Sequence, residues 1–338
     1  MKRFAFGAAL LATTALAGQA MAREEIRIVG SSTVFPFSTA VAEEFGRSSD
    51  FPAPVVESTG SGGGLQLFCS GIGEGHPDIT NASRRIKQSE VETCSSAGIT
   101  EITEVKIGYD GIVLANVKDA PQLDLSREQI WQALAKDVVV DGEVVANPNT
   151  NWSDIDPSLP DTQIEVLGPP PTSGTRDAFV ELVMEEGCES SVEGLGEDEA
   201  EAVCKTMRED GAFVEAGEND NLIVQKLQEN PDALGIFGFS FLDQNADVMQ
   251  GSMIEGNEPA FDAIAAGDYP VSRSLFFYVK NAHVGVIPGI EEYLAEFTSD
   301  KAIGEDGYLA DKGLIPLPEE EREEVRTQTA NLQPLSLN

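Results

Sequence analysis

Short apolar strands, turns rich in hydroxyl groups and amphipathic helices alternate along this chain, beginning near its N-terminus. The segment EEIRIVG predicts a strand. The following VFPFSTAVAEEFG predicts a helix, whose apolar face is made by Val34, Phe37, Val41 and Phe45. The tripeptide Ser-Ser-Thr at 31–33 is therefore predicted to lie where this helix begins.

The same design recurs in the segment APVVESTGSGGGLQLFCSGI. Val55 and Val56 predict a strand, and Ser58 to Gly64 predict a loop of hydroxyl groups and glycines. The helix predicted to follow has one apolar face, made by Leu65, Phe68, Cys69 and Ile72.

A third unit surrounds the stretch GPPPTSGTRDAF, from Gly168 to Phe179. The predicted strand residues Ile164, Val166 and Leu167 precede this stretch. The predicted helix includes Phe179, the last residue of the stretch, and continues with Leu182 and Val183. Each proline at 169–171 fixes φ near −65°. The proline run is either a rigid segment that holds Ser-Gly-Thr-Arg in position for a ligand, or a rigid turn that has no effect on ligand binding.

The segment HPDITNASRRIK adds a strand that ends near Asn81, followed by Ala-Ser-Arg-Arg. Strands alternating with helices over most of the chain predict an α/β architecture with largely parallel sheets. Ligands of such folds gather at the carboxyl ends of the strands, which is where these hydroxyl-rich turns are predicted.

Two strongly apolar strands, IVLANV after Tyr-Asp-Gly and SRSLFFYVK at 272–280, are predicted to cross between two lobes. The first lobe would comprise residues 23–116, the second residues 117–271, and residues 272–338 would return to the first lobe and form the C-terminal segment. A chain of this length exceeds what one hydrophobic core usually holds.

Residues 1–22 have the pattern of a secretory signal peptide, with Lys2 and Arg3, an apolar stretch and the ending Ala-Met-Ala. Cleavage is predicted after Ala22, and no cysteine follows that could carry a lipid, so we expect a free periplasmic protein. The formal net charge of −36 makes nucleic acid and anionic membrane poor partners. The excess acid suits either solubility in a salty medium or an acidic docking face.

The four cysteines of an exported protein predict two disulfides. The pairing of near neighbours, Cys69 with Cys94 and Cys188 with Cys204, is favoured among the three connectivities that the sequence permits. Their spacing lacks a CxxC pair, so no metal site and no cofactor are predicted.

The predicted turns suit anion binding. A helix N-terminus presents unpaired backbone N–H groups and about half a positive charge, and glycines let the backbone approach a ligand closely. Arg84 and Arg176 could add bidentate hydrogen bonds to oxygen atoms. Serine, threonine and glycine are also ordinary helix caps, so the pattern alone leaves both interpretations open.

Enzymatic alternatives have less support. The chain has no GxSxG elbow and no Walker phosphate loop. A secreted metal-dependent phosphatase remains the alternative from another class, because acidic residues are abundant.

The motifs VGSSTVFPF, STGSGGGLQLF, DITNASRRIK, GYDGIVLAN, NWSDI and TSGTRDAF, taken together and in this order, resemble those of the shorter PstS phosphate-binding proteins of phosphate ABC transporters. The resemblance implies a two-lobed periplasmic-binding-protein fold of the second type, with the ligand in the interlobe cleft and two hinge crossings. It implies a monomer that carries inorganic phosphate to a membrane permease and makes or breaks no bond. Sulfate or molybdate is the nearest alternative ligand. The residues it implies for phosphate binding are Ser31, Ser32, Thr33, Ser61, Gly62, Arg84, Ser173, Gly174, Thr175 and Arg176.

One departure from the longer PstS proteins matters for selectivity. Those members have an aspartate at the position of Arg84, where it accepts the proton of hydrogen phosphate and so rejects sulfate. They also have an arginine where this chain has Pro169. We expect Asp110, in GYDG, or Asp177 to replace the aspartate. Asp177 could instead complement the helix dipole, and Asp110 could simply cap a turn.

Overall fold

The computed structural model describes residues 23–171, 173–217 and 220–337. The predicted signal peptide, residues 1–22, and its predicted cleavage after Ala22 lie outside the described residues. No helix within the described ranges is long and apolar enough to cross a membrane.

The strands of the described residues are β1 (Arg27–Gly30), β2 (Val55–Ser58), β3 (Ile79–Ala82), β4 (Ile102–Val117), β5 (Asp124–Leu125), β6 (Asp137–Val140), β7 (Glu143–Ala146), β8 (Val166–Gly168), β9 (Phe213–Glu215), β10 (Leu234–Gly238), β11 (Met249–Gly251), β12 (Met253–Ile254) and β13 (Ser272–Lys280).

The α-helices there are α1 (Phe35–Ser48), α2 (Ser61–Phe68), α3 (Gln88–Ser96), α4 (Arg127–Leu134), α5 (Trp152–Ile155), α6 (Gly174–Phe179), α7 (Glu186–Cys188), α8 (Glu197–Lys205), α9 (Asp220–Glu229), α10 (Phe239–Gln244), α11 (Phe261–Ala266), α12 (Ile290–Phe297), α13 (Asp300–Ile303) and α14 (Glu319–Ala330). A π-helix, Val180–Glu185, joins α6 to α7, and short 3-10 turns occupy Asn281–His283 and Ala310–Lys312.

The main sheet has the strand order β2-β1-β3-β13-β4-β10-β8-β9, and β11 also pairs with β4. In its first half β1 is parallel to both β2 and β3, and in its second half β8 is parallel to β9 and β10. The α/β architecture predicted from the alternation of strands and helices is therefore confirmed. The expectation of a largely parallel sheet is wrong, because β13 pairs antiparallel with β3 and β4, and β4 pairs antiparallel with β10 and β11. The carboxyl ends of β1, β2 and β3 meet at one edge, so their turns lie together.

The two halves of the sheet share β4. Its first part pairs with β13, up to Gly111 opposite Ser272, and its next residues, from Ile112 to Ala115, pair with β10. The strand therefore passes from one set of neighbours to the other at the GYDG motif. The lobe boundaries at residues 117 and 272 stay a prediction.

The first strand-turn-helix unit has the predicted packing, because all four residues of the predicted apolar face of α1 are buried. The second unit differs from its prediction. Helix α2 already begins at Ser61, so the predicted loop up to Gly64 was too long, and it ends at Phe68, so Ile72 lies beyond it and is exposed. The helix starts early because Gly64 lies against β1: a Cβ there would come within 2.4 Å of the Cα of Gly30.

Both favoured disulfides are confirmed. Cys69, directly after α2, is bonded to Cys94 in α3, with Cα atoms 4.2 Å apart. Cys188 and Cys204 join α7 to α8 with a Cα separation of 5.5 Å. The acid-rich segment between the second pair of cysteines is about half helical, because α8 begins at Glu197.

Candidate anion-binding site

The turn after β1 is held in shape by backbone hydrogen bonds. Ser31 donates its N–H to the carbonyl of Asn81 at 3.0 Å, and its own carbonyl accepts from the N–H of Phe35 at 3.0 Å. Gly30 has φ of +130°, and a Cβ there would lie 2.2 Å from the carbonyl oxygen of Asn81. Only glycine fits, and residues 31–33 are thereby placed at the N-terminus of α1.

The turns after β2 and β3 are linked through two hydroxyl groups. Ser61 Oγ lies 3.1 Å from Ser83 Oγ and accepts from the Ser83 N–H at 3.1 Å. The next residue, Arg84, donates from its two Nη atoms to the carboxylate of Glu90 at 3.0 and 2.8 Å. The hydrogen bonds that Arg84 donates to Glu90 raise the pKa of the Arg84 guanidinium, which stays charged beside the cavity.

The turn after β8 touches the turn after β1. Ser173 caps α6, where its Oγ accepts from the Thr175 N–H at 3.2 Å. Thr33 Oγ1 donates to the carbonyl of Gly174 at 3.4 Å, and Ser32 Oγ donates to Asp177 Oδ2 at 2.6 Å. The turns after β1 and β8, far apart in the sequence, thus contact each other through hydroxyl groups and backbone carbonyls.

Two adjoining cavities share Ser32 and Thr33. The smaller, about 260 Å³, has a wall of turn residues, two arginines and two acids: Ser31, Ser32, Thr33, Gly60, Ser61, Gly62, Ser83, Arg84, Asp177, Glu181 and Arg273. The larger, about 480 Å³, includes on its wall Asp110, Lys312 and the residues Ser173, Gly174 and Thr175.

Arg273 is a cavity residue that the sequence analysis missed. It donates from Nη2 to Thr33 Oγ1 at 2.8 Å and forms an ion pair from Nη1 with Glu181. Its side chain is only 8% exposed. The sequence shows Arg273 as a charged residue in the otherwise apolar strand SRSLFFYVK. Its place in the cavity depends on the strand pairing that sets it opposite Asp110 on β4.

Asp110 lies at the junction of β4 with both halves of the sheet. Burial raises the pKa of its carboxyl group, and the Arg273 guanidinium, with Nε 3.6 Å from Oδ2, opposes that rise. Oδ2 is buried and accepts no hydrogen bond from any described residue. A donor brought by a ligand could fill that place.

The structure brings ten of the predicted phosphate-binding residues to the two cavities, and Arg176 lies apart from both. Its guanidinium stacks over the ring of Phe213, 4.4 Å from the centroid, and donates to the carbonyl of Pro169 at 3.3 Å. It lines another cavity, together with Glu185 and Lys205. Within the described ranges, no group of three or more His, Cys, Asp or Glu residues could hold a metal ion.

Comparisons with known proteins agree with this architecture. A model of the PBP superfamily domain matches residues 15–301, and the chain therefore belongs to the PBP superfamily. A solved structure described as that of a possible phosphate binding protein from Planctomyces limnophilus is 27% identical, with a TM-score of 0.74 over 91% of this chain and 98% of that one. The fold is the periplasmic-binding-protein fold of the second type, as the resemblance implied.

Two relatives narrow the family. The phosphate-binding protein PstS of Staphylococcus haemolyticus is 30% identical over 291 residues, 83% of this chain and 79% of that protein. Protein SphX of Synechococcus elongatus is 30% identical over 257 residues, 74% of this chain and 66% of that protein. Within the superfamily, the chain belongs to the PstS-like phosphate-binding proteins.

Proposed function

We propose that this chain binds inorganic phosphate outside the cytoplasm and delivers it to the membrane permease of an ABC importer. The observation that carries the proposal is the meeting of four hydroxyl-rich turns and two arginines around two adjoining cavities. The names of the relatives support phosphate as the ligand.

The ligand would be held mainly by neutral groups. The N-termini of α1 and α2 supply backbone N–H groups and the positive end of the helix dipole, and Ser32, Thr33 and Ser61 add hydroxyl donors. Residues 173–175 would close on the anion from the other lobe. Arg84 and Arg273 add charge-assisted hydrogen bonds, which are stronger than neutral ones.

Selection of phosphate over sulfate would rest on Asp110. Hydrogen phosphate carries a proton that Asp110 Oδ2, which accepts no hydrogen bond from the described residues, can accept, whereas sulfate carries none and would face a buried negative charge. Asp177, the other candidate from the sequence, already accepts the hydroxyl hydrogen of Ser32 and lines the smaller cavity. We therefore favour Asp110 for this role.

The protein would act as a monomer and without a cofactor, because the proposed role requires only binding, closure of the lobes and release. Arg176 takes no direct part; its stacking on Phe213 would brace the turn that presents Ser173. Export would use the predicted signal peptide, cleaved after Ala22.

Calorimetric titration of ligand-stripped protein with phosphate, sulfate and molybdate tests the proposal. We expect tight binding of phosphate. The other two anions should bind at least about 100-fold more weakly, because each would leave the buried Asp110 carboxylate without a hydrogen-bond donor. Preference for sulfate or molybdate would reassign the ligand. Turnover of a phosphomonoester that stops when metal is chelated would reassign the protein to the metal-dependent phosphatases.

A further inference from the structure

Arg273 is the most enclosed cation of the smaller cavity. Its side chain is 8% exposed, against 28% for Arg84. Its Nε is buried, donates no hydrogen bond within the described residues, and lies 3.6 Å from Asp110 Oδ2. One Nη atom contacts Thr33 in the turn after β1. The other meets the carboxylate of Glu181, so an acid of the protein itself occupies the place that an oxyanion would take.

Glu181 reaches this place from an unusual segment. It lies in the π-helix Val180–Glu185, and π-helical turns occur frequently at functional sites. Its side chain is 52% exposed, so it can leave Arg273 for solvent without breaking the packing around it. Asp177, four residues earlier, faces the same cavity, where it accepts from Ser32. Two carboxylates thus accept from the donors that line the cavity.

We infer that Glu181 is an internal competitor of the ligand: its carboxylate holds Arg273 in the ligand-free protein, and phosphate binds by displacing it. The inference rests on the proposed function and names Arg273 as a ligand-binding residue. The guanidinium can then offer a planar pair of donors to two phosphate oxygens, which Lys cannot do.

Competition from Glu181 reduces the affinity for phosphate only slightly. An ion pair with one half-exposed partner changes an equilibrium by no more than about fivefold. Phosphate, with two charges and several acceptor oxygens, forms charge-assisted bonds to Arg273 and Arg84 together. A carboxylate of this kind therefore lowers the affinity for every anion by no more than that factor.

The test compares Glu181→Gln with the matched control Glu186→Gln by calorimetric titration with phosphate. Glu186 lies five residues on, pairs with Arg127 away from the cavities, and is 53% exposed, so the two variants lose the same charge from equally exposed positions. We expect Glu181→Gln to bind phosphate about two- to fivefold more tightly than the parent, and Glu186→Gln to bind it like the parent.

A double-mutant cycle with Arg273→Gln separates displacement from general repulsion. Arg273→Gln should weaken phosphate binding at least about tenfold, and in that background Glu181→Gln should bring no gain, because no guanidinium is left to compete for. Thermal unfolding of each variant confirms that it is folded.

The outcomes are distinct. Absence of phosphate binding by the parent would overturn the proposed function and this inference with it. Phosphate binding by the parent, with Glu181→Gln no tighter than Glu186→Gln, would overturn the inference alone. So would an undiminished gain from Glu181→Gln in the Arg273→Gln background.

Discussion

Gly174 is the point where the turn after β8 meets the turn after β1, and its replacement by alanine measures what that contact contributes. A Cβ at Gly174 would lie 3.0 Å from both the carbonyl oxygen of Ser32 and the Cα of Thr33. Ordinary van der Waals contact begins at 3.4 Å, so the two turns must separate by about 0.4 Å. The Thr33 hydrogen bond to the Gly174 carbonyl, already 3.4 Å long, would then be lost.

The effects on stability and on binding should differ. Alanine favours the helical start by about 1 kcal/mol over glycine, and the lost hydrogen bond removes about 1 kcal/mol, so the free energy of unfolding should change little. Binding should suffer, because residues 173–175 move away from the anion. One charge-assisted hydrogen bond is worth about 1.5–3 kcal/mol, which predicts phosphate affinity roughly 10- to 100-fold lower for Gly174→Ala.

Calorimetric titration and urea unfolding of Gly174→Ala and Gly196→Ala provide the measurement. Gly196 also precedes a helix, α8, but a Cβ there meets no atom within 4 Å, so that variant should bind phosphate like the parent. If Gly174→Ala bound phosphate as tightly as the parent while remaining folded, the two turns would not hold the anion between them.

Three further predictions follow from single features. Asp110→Asn should reduce the preference for phosphate over sulfate at least about tenfold by titration, and an intact preference would rule out its selective role. Burial lowers the pKa of Lys280 to about 8 in the folded protein, below its ordinary 10.5. Protonated Lys280 therefore destabilises the folded state below pH 8, and this cost fades between pH 8 and 10.5. The difference in Tm between Lys280→Met and the parent should accordingly become smaller, or more negative, from pH 7 to pH 10, and a constant difference would contradict the assignment. Replacing the prolines at 169–171 with alanine should weaken phosphate binding about tenfold by loosening Ser173, whereas unchanged affinity in folded protein would mean a plain turn.

Local patterns predicted the elements well where periodicity governs them. The apolar face of α1 and the full extent of β13 follow from residue spacing and from a run of apolar residues, both of which are local properties. The start of α2 was misjudged because three glycines favour a loop by propensity. The tight approach of Gly64 to Gly30 overrides that preference, and such packing is visible only in three dimensions.

The site shows the same division. The turns at 31–33, 61–62 and 173–175 could be located because hydroxyls and glycines stand at predicted helix starts. Arg273 could not, because its role follows from the register that sets it opposite Asp110. Arg176 was an attractive cation by sequence, but its direction depends on the ring of Phe213, 37 residues further along the chain.

The position of β13 between β3 and β4 also governs when the site can form during synthesis. Until residue 272 has emerged, the first half of the sheet lacks the strand that joins its two neighbours, and Asp110 lacks Arg273. The turns of residues 31–84 are therefore held in place only after a strand about 200 residues later in the sequence has paired. Contacts between residues so far apart in the sequence slow folding. A chain that has not yet been synthesised beyond residue 272 therefore has no complete anion site.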